Sequence, residues 1–302
     1  MLTKIDLLAK VTMEKLQNVR KMPEHKDGGV IDSHCHLGTE EYVRALGIVG
    51  DLFKDMPRKT VADMIQEYDE AGVQKVVIVG WDAETTTGLK VPNDYIADVV
   101  NKHPDRFIGF ASVDPHKGRI AVKELERSVE DLKLRGLKLH PIVQEFFPND
   151  RRFYPLYEKC VELKIPVMFH SGIELAGAGL PGGAGIKQKY ARPIWFDDVA
   201  ADFPELRIDI AHPGWPWEDE QIAIVMHKGN VYMDLAGVPP RYYSPTLRTY
   251  LKAQLFNSKV MFGTDYPYLH PAEVIKEFKE LNLKPEVQER ILNENAKRFL
   301  EL

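Results

Sequence analysis

The chain has 302 residues, 44% of them hydrophobic and 28% charged, and its 40 Lys plus Arg against 45 Asp plus Glu give a net charge of −5. This is the make-up of a soluble globular protein with room for one large domain or two ordinary ones. A mildly acidic chain with no basic stripe excludes a dedicated nucleic-acid binder, and apolar runs as short as Val76–Val79 exclude a membrane span. Two cysteines, Cys35 and Cys160, make no disulfide framework and point to a reducing, cytoplasmic setting.

The chain opens MLTKIDLLAKVTMEKL, with charges scattered among the apolar positions. Residues 1–27 therefore read as an amphipathic helical extension and a polar joint that pack on the main domain or on a partner subunit, not as a secretory signal. Over residues 28–302 one rhythm repeats, a β-rich apolar run followed by an amphipathic helical stretch. Strands are expected over Gly29–Leu37, Val73–Trp81, Phe107–Val113, Gly136–His140, Pro166–Ser171, Arg207–His212, Val231–Ala236 and Lys259–Thr264. Helices are expected between them over Val61–Ala71, Asp94–Asn101, Ile120–Leu132, Phe153–Leu163, Trp195–Asp202, Glu218–His227 and Pro245–Leu255. Pro271–Leu281 and Pro285–Leu300 complete the helical set.

Repeated βα units imply parallel strands with right-handed crossovers, and eight in about 250 residues is the size of a (β/α)8 TIM-type barrel. Strand counting leaves a doubly wound open sheet as its rival. No linker or internal repeat divides residues 28–302, which read as a single domain. Two insertions, Gly38–Lys59 and Glu174–Pro193, fall on βα connections, where barrel enzymes build their sites. The second, rich in glycine, reads as a lid or substrate loop.

Asp32-Ser-His-Cys-His36 closes the first strand. Residues two apart on a strand share a face, so His34 and His36 can occupy adjacent positions on one ion. With 10 histidines in the chain, about 0.3 His-x-His motifs arise by chance, so the motif alone is weak. Its position strengthens it. Phe169-His170-Ser-Gly, Ile210-Ala-His212-Pro-Gly and Phe262-Gly-Thr-Asp265-Tyr-Pro also end strands, and a barrel brings such ends to one mouth. His34, His36, His170 and Asp265 then form a metal set with an open position, and His212 is free to act as general base or acid.

Together these motifs resemble the amidohydrolase superfamily, in particular its amidohydrolase-2 branch, which holds aminocarboxymuconate-semialdehyde and γ-resorcylate decarboxylases. The likeness covers about residues 29–300, and WDAETTTG and PDRFIGFASVDP resemble members labelled β-ketoacyl-CoA hydrolases. It implies a distorted barrel and one divalent metal, Zn2+ first with Mn2+ as the alternative. His34, His36, His170 and Asp265 become the ligands, His212 the catalytic histidine, and Asp265 a possible proton shuttle. Family members are often dimers or tetramers.

Lys138, in Gly-Leu-Lys-Leu-His-Pro, stands where two-metal relatives carry a bridging carbamylated lysine. Three readings stay open: a substrate-carboxylate contact from Lys138 or His140, the carbamate, or a structural role at the rim with both side chains turned out toward the helices. Trp81, Asp82, Trp215 and Trp217 are candidates for walls of a flat substrate site, and Arg241, Lys187, Lys189 and Arg192 for anion contacts. Gly177-Ala-Gly-Leu-Pro-Gly182 fits a dinucleotide-binding pattern, but Pro181 and the Gly-rich tail leave no helix start for a pyrophosphate, so no nucleotide cofactor is expected. Cys35, between two inward histidines, reads as core.

The expected function is metal-dependent hydrolysis of a small molecule bearing a carbonyl or carboxylate. The alternative is non-oxidative decarboxylation of an aromatic or muconate-type acid. Hydration of an unsaturated acid would use the same groups, and a barrel that only binds is the remote alternative.

Overall fold

The computed structural model describes residues 29–46 and 58–302, so the helix expected over residues 1–27 and the middle of the first insertion lie outside the described residues. The strands, in chain order, are β1 (Val30–Cys35), β2 (Val73–Val79), β3 (Trp81–Ala83), β4 (Leu89–Val91), β5 (Phe107–Ser112), β6 (Leu137–Leu139), β7 (Val167–His170), β8 (Ile208–Ala211), β9 (Val231–Asp234) and β10 (Val260–Met261). Each of the eight expected strands is present. They pair in parallel in the order β1-β2-β5-β6-β7-β8-β9-β10.

The two ends of this sheet meet. Ser33 N donates to Phe262 O at 2.9 Å, Asp265 N to His34 O at 2.9 Å, and His36 N to Tyr266 O at 2.6 Å. That closure makes the fold a TIM-type barrel and removes the open-sheet alternative.

Helices cover the outside. The one over Val61–Glu70 starts with a capping box, Thr60 and Asp63 each accepting the other's backbone N–H. Alternate residues along the strands divide the core in two. Val76 and Ile78 join the larger cluster beneath the helices, while Val77, Val79, Ile108, Phe110, Met168 and Met261 form a smaller one with Phe299 and Leu300 of the last helix. The second set marks the barrel interior, because Met168 shares its strand face with His170 two residues on. Strands buried on both faces read as unbroken apolar runs, as Val76–Val79 does.

The structure adds a short antiparallel hairpin, β3 with β4, which the sequence reading does not anticipate. The helix expected over Pro245–Leu255 divides into Pro245–Tyr250 and Gln254–Asn257. Among the described residues no helix is long and apolar enough to cross a membrane.

Candidate active site

Asp32 anchors the first strand at the mouth. Its carboxylate accepts the backbone N–H groups of His34 (3.2 Å) and Thr264 (3.0 Å) and the hydroxyls of Thr264 (2.5 Å) and Tyr68 (3.1 Å). Burial pushes this carboxyl up to about 7 despite those four donors. The network ties β1 to the Gly-Thr-Asp segment after β10 and so fixes His34 against Asp265.

Hydrogen bonds set the tautomers of His34, His36 and His212. His34 Nδ1 lies 2.8 Å from Asp234 Oδ2, so it carries the proton and Nε2 keeps its lone pair. Asp234 Oδ1 accepts the backbone N–H groups of His212 (2.9 Å) and Ala236 (3.0 Å). Burial raises the pKa of Asp234, but the His34 and His212 imidazoles outweigh it and hold that carboxyl well below the usual range. The Tyr42 hydroxyl donates to Val79 O at 2.5 Å, so at 2.8 Å it accepts from His36 Nδ1. His36 Nε2 thereby also keeps its lone pair. His212 Nδ1 donates to Ala236 O at 3.0 Å, which leaves its Nε2 free as well.

These lone pairs gather around Asp265. Its Oδ1 is 3.3 Å from His36 Nε2 and 3.7 Å from His34 Nε2, is buried, and has no hydrogen-bond partner. His34, His212 and Asp265 each place a ligand atom within 4.8 Å of the others. Bonds of about 2.1 Å to a tetrahedral ion put its ligand atoms about 3.4 Å apart. Acceptors facing acceptors at that spacing call for a cation, so the residues fit a divalent metal.

The backbone here is strained. His212 (φ 69°) and Asp265 (φ 61°) both occupy the left-handed region, which costs side-chain-bearing residues about 1–3 kcal/mol and concentrates at functional sites. Gly237 packs against both: a Cβ there would lie 3.0 Å from His212 Nδ1 and 3.2 Å from Asp265 Oδ2. Gly172 and Gly214, in the His-Ser-Gly and His-Pro-Gly motifs, touch backbone to backbone, since a Cβ on Gly172 would meet Gly214 Cα at 2.7 Å.

Lys138 lines the cavity described below and is only 2% exposed, so it does not turn out toward the helices. Its Nζ lies 2.9 Å from His34 Nε2, and burial lowers its pKa. On the far wall the ring of His140 stacks on His170 at 4.0 Å. Val143 N–H points at His140 Nδ1 (3.3 Å), so His140 Nε2 is the donor to Glu174 Oε2 at 2.8 Å. His140, His170 and Glu174 are close enough to hold an ion, but a protonated Nε2 makes His140 a hydrogen-bond donor here, not a ligand. Burial, then the neighbouring His140, lowers the pKa of His170, whose Nε2 is buried without a hydrogen-bond partner.

A cavity of about 370 Å³ opens above these groups, walled by Trp81, Val143, Ile173, Leu175, Val238 and Tyr268. His36, Lys138, His140, His170, His212 and Asp265 line it, and His34 lies buried beneath. Two expected substrate contacts are not brought to it. Trp215 is 61% exposed and Arg241 pairs with Glu277 over the ring of Tyr242. The sequence reading missed Asp234, Tyr42, Tyr268 and Glu174. Asp234 carries the signal used for Asp265, a carboxylate at a strand end, and Glu174 follows His170 by one helical turn's spacing in a segment read only as loop.

A family model described as amidohydrolase matches residues 31–302. The chain is 26% identical to the 2-amino-3-carboxymuconate-6-semialdehyde decarboxylase of Dictyostelium discoideum, over 99% of this chain and 92% of that one. It is 31% identical to the 2-keto-4-carboxy-3-hexenedioate hydratase of a Sphingobium strain, over 54% of this chain and 48% of the other. Among solved structures, an uncharacterised TIM-barrel protein of Bordetella bronchiseptica is similar at a TM-score of 0.73 and 26% identity, covering 90% of this chain and 98% of that one.

Proposed function

The chain belongs to the amidohydrolase family, and from that premise we propose that it is a divalent-metal-dependent hydrolase of a small molecule bearing a carbonyl or a carboxylate. The observation that supports this reading is the convergence of imidazole lone pairs on the unpartnered Asp265 Oδ1 beside a free His212 Nε2. His34, His36, His170 and Asp265 are the proposed ligands, with Zn2+ the first choice and Mn2+ the alternative. A divalent ion held there supplies a Lewis acid for the substrate oxygen and makes water acidic near neutral pH. His212 Nε2 takes the proton from the attacking water while the Nδ1–H bond to Ala236 keeps its tautomer. Asp265 Oδ2 is a second place to park that proton. Lys138 holds the substrate carboxylate and Trp81 packs on its apolar body.

A second reading, non-oxidative decarboxylation, is favoured by the relative that aligns over nearly the whole chain. In it His212 delivers a proton to carbon instead of removing one from water. The two separate in isotopic water. Metal-loaded protein is given a β-ketoacyl thioester and 2,6-dihydroxybenzoate in H2(18)O and in D2O. Hydrolysis places one 18O in the new carboxylate; CO2 release with deuterium on carbon assigns the lyase reaction instead. Product formation that persists in the Asp265→Asn variant overturns both.

The same proposal makes residues 28–302 one catalytic domain extended by residues 1–27. It places the protein in the cytoplasm, in keeping with two free buried cysteines, as a homodimer or tetramer that light scattering would identify.

A further inference from the structure

Glu174 puts into the cavity a carboxylate that the reaction above does not use. Its side chain is 10% exposed, and its Oε2 accepts from His140 Nε2 at 2.8 Å while Oε1 accepts the Ala176 N–H at 2.7 Å. The backbone is clasped on both sides by one amide, since Glu174 N donates to Gln188 Oε1 and Gln188 Nε2 donates to Glu174 O, each at 2.8 Å. The carboxylate is therefore fixed at the root of the Gly-rich loop, facing into the cavity 3.8 Å from the unpartnered His170 Nε2. His140 is fixed too, with its backbone N–H on Gln144 Oε1 at 2.8 Å and its Nε2–H committed to Glu174.

We propose that Glu174 determines specificity: it makes the His140 side of the cavity accept a substrate group that donates a hydrogen bond, a phenolic or enolic hydroxyl or an amine, and reject a second carboxylate. The inference rests on the reading of this cavity as a substrate site. With the proposed metal taken up by the reacting oxygen, Lys138 is the cationic side chain lining the cavity, so one carboxylate is matched there. A second would meet Glu174 in a poorly solvated space where like charges repel strongly, and it would bring no proton for Oε2. A hydroxyl or amine in the same place donates to Oε2. The substrate is then a flat acid with one carboxylate and a donor group across its apolar body.

Calorimetry on the full-length metal-loaded protein tests this with 3-hydroxybenzoate and isophthalate, which share a ring and one carboxylate and differ in the second group. Wild type is expected to bind 3-hydroxybenzoate at least tenfold more tightly. Glu174→Gln should shrink that preference at least tenfold, chiefly by gaining isophthalate, with an unchanged circular dichroism spectrum; Glu174→Ala repeats the test if Gln does not fold. Lys138→Met should weaken both ligands alike. An unchanged ratio in both Glu174 variants, a wild type that prefers isophthalate, or a wild type that binds neither overturns the inference. Failure of the metal-enzyme reading is separate, since it appears as absence of bound metal and of turnover and leaves the ligand ratio free to respond.

Discussion

Asp234 Oδ2 lies 2.8 Å from His34 Nδ1, and neither side chain has any exposure to solvent. The other oxygen of the same carboxylate takes the His212 backbone N–H, so one buried acid orients the proposed ligand and the proposed base together. Asn at this position keeps the shape but has one acceptor oxygen for those two demands. Asp234→Asn should therefore lower metal affinity about 10–100-fold, the usual effect of losing a partner behind a ligating histidine. Competition with a chromophoric chelator measures it, and unchanged affinity would mean that another group holds the His34 tautomer.

Metal content tests the ligand set directly. Elemental analysis should find about one divalent ion per chain, lost in Asp265→Asn and in His36→Ala because each removes a group whose charge or lone pair is turned on that centre. Near two ions per chain would make Lys138 the bridging carbamate. No ion, even after reconstitution with Zn2+ or Mn2+, would remove the basis of the proposed chemistry.

Gly237→Ala should harm activity more than stability. Gly237 has φ 77°, so Ala there costs about 1–2 kcal/mol of backbone strain, which lowers the melting temperature by a few degrees. The added methyl also meets His212 Nδ1 and Asp265 Oδ2, both within 3.2 Å of its place. A displacement of about 1 Å in such groups can cost about 100-fold in rate. Steady-state kinetics beside calorimetric melting separates the two effects; equal small losses in both would show that the site absorbs the methyl.

The barrel is legible because strands buried on both faces, such as Val76–Val79, spell unbroken apolar runs, and because the helices between them repeat with period 3.6. The β3–β4 hairpin is not, since three-residue strands such as Trp81–Ala83 carry too few positions for any period to show. His34, His36, His170, His212 and Asp265 are found by their places at strand ends, because closure alone brings such ends together. Residues that act through another side chain leave a fainter mark: Tyr42 is found only once its hydroxyl is seen between His36 and Val79. Trp215 and Arg241 mislead because residue type gives the chemistry of a side chain, while the loop carrying it decides which way it points.

His212 decides between two assignments of the same geometry. With His34 and Asp265 it forms a group compact enough to hold an ion, and the proposed ligand set uses His170 in its place. Its Nδ1–H bond to Ala236 serves either role, since a ligand and a general base both need the Nε2 lone pair. The ring of His170 lies only 4.7 Å from that of His212, so proximity does not separate the two. Removal does. If His212 is the base, His212→Ala keeps the metal and loses about 10²–10⁴ in turnover, the range of general acid–base catalysis. His170→Ala then loses the metal. If metal leaves with His212 and stays with the His170 variant, His212 is the ligand and proton transfer passes to another group, with Asp265 Oδ2 the first to examine. Metal analysis of the two variants separates the assignments by itself, and turnover measured on the same samples shows whether the proton-transfer role goes with the metal or apart from it.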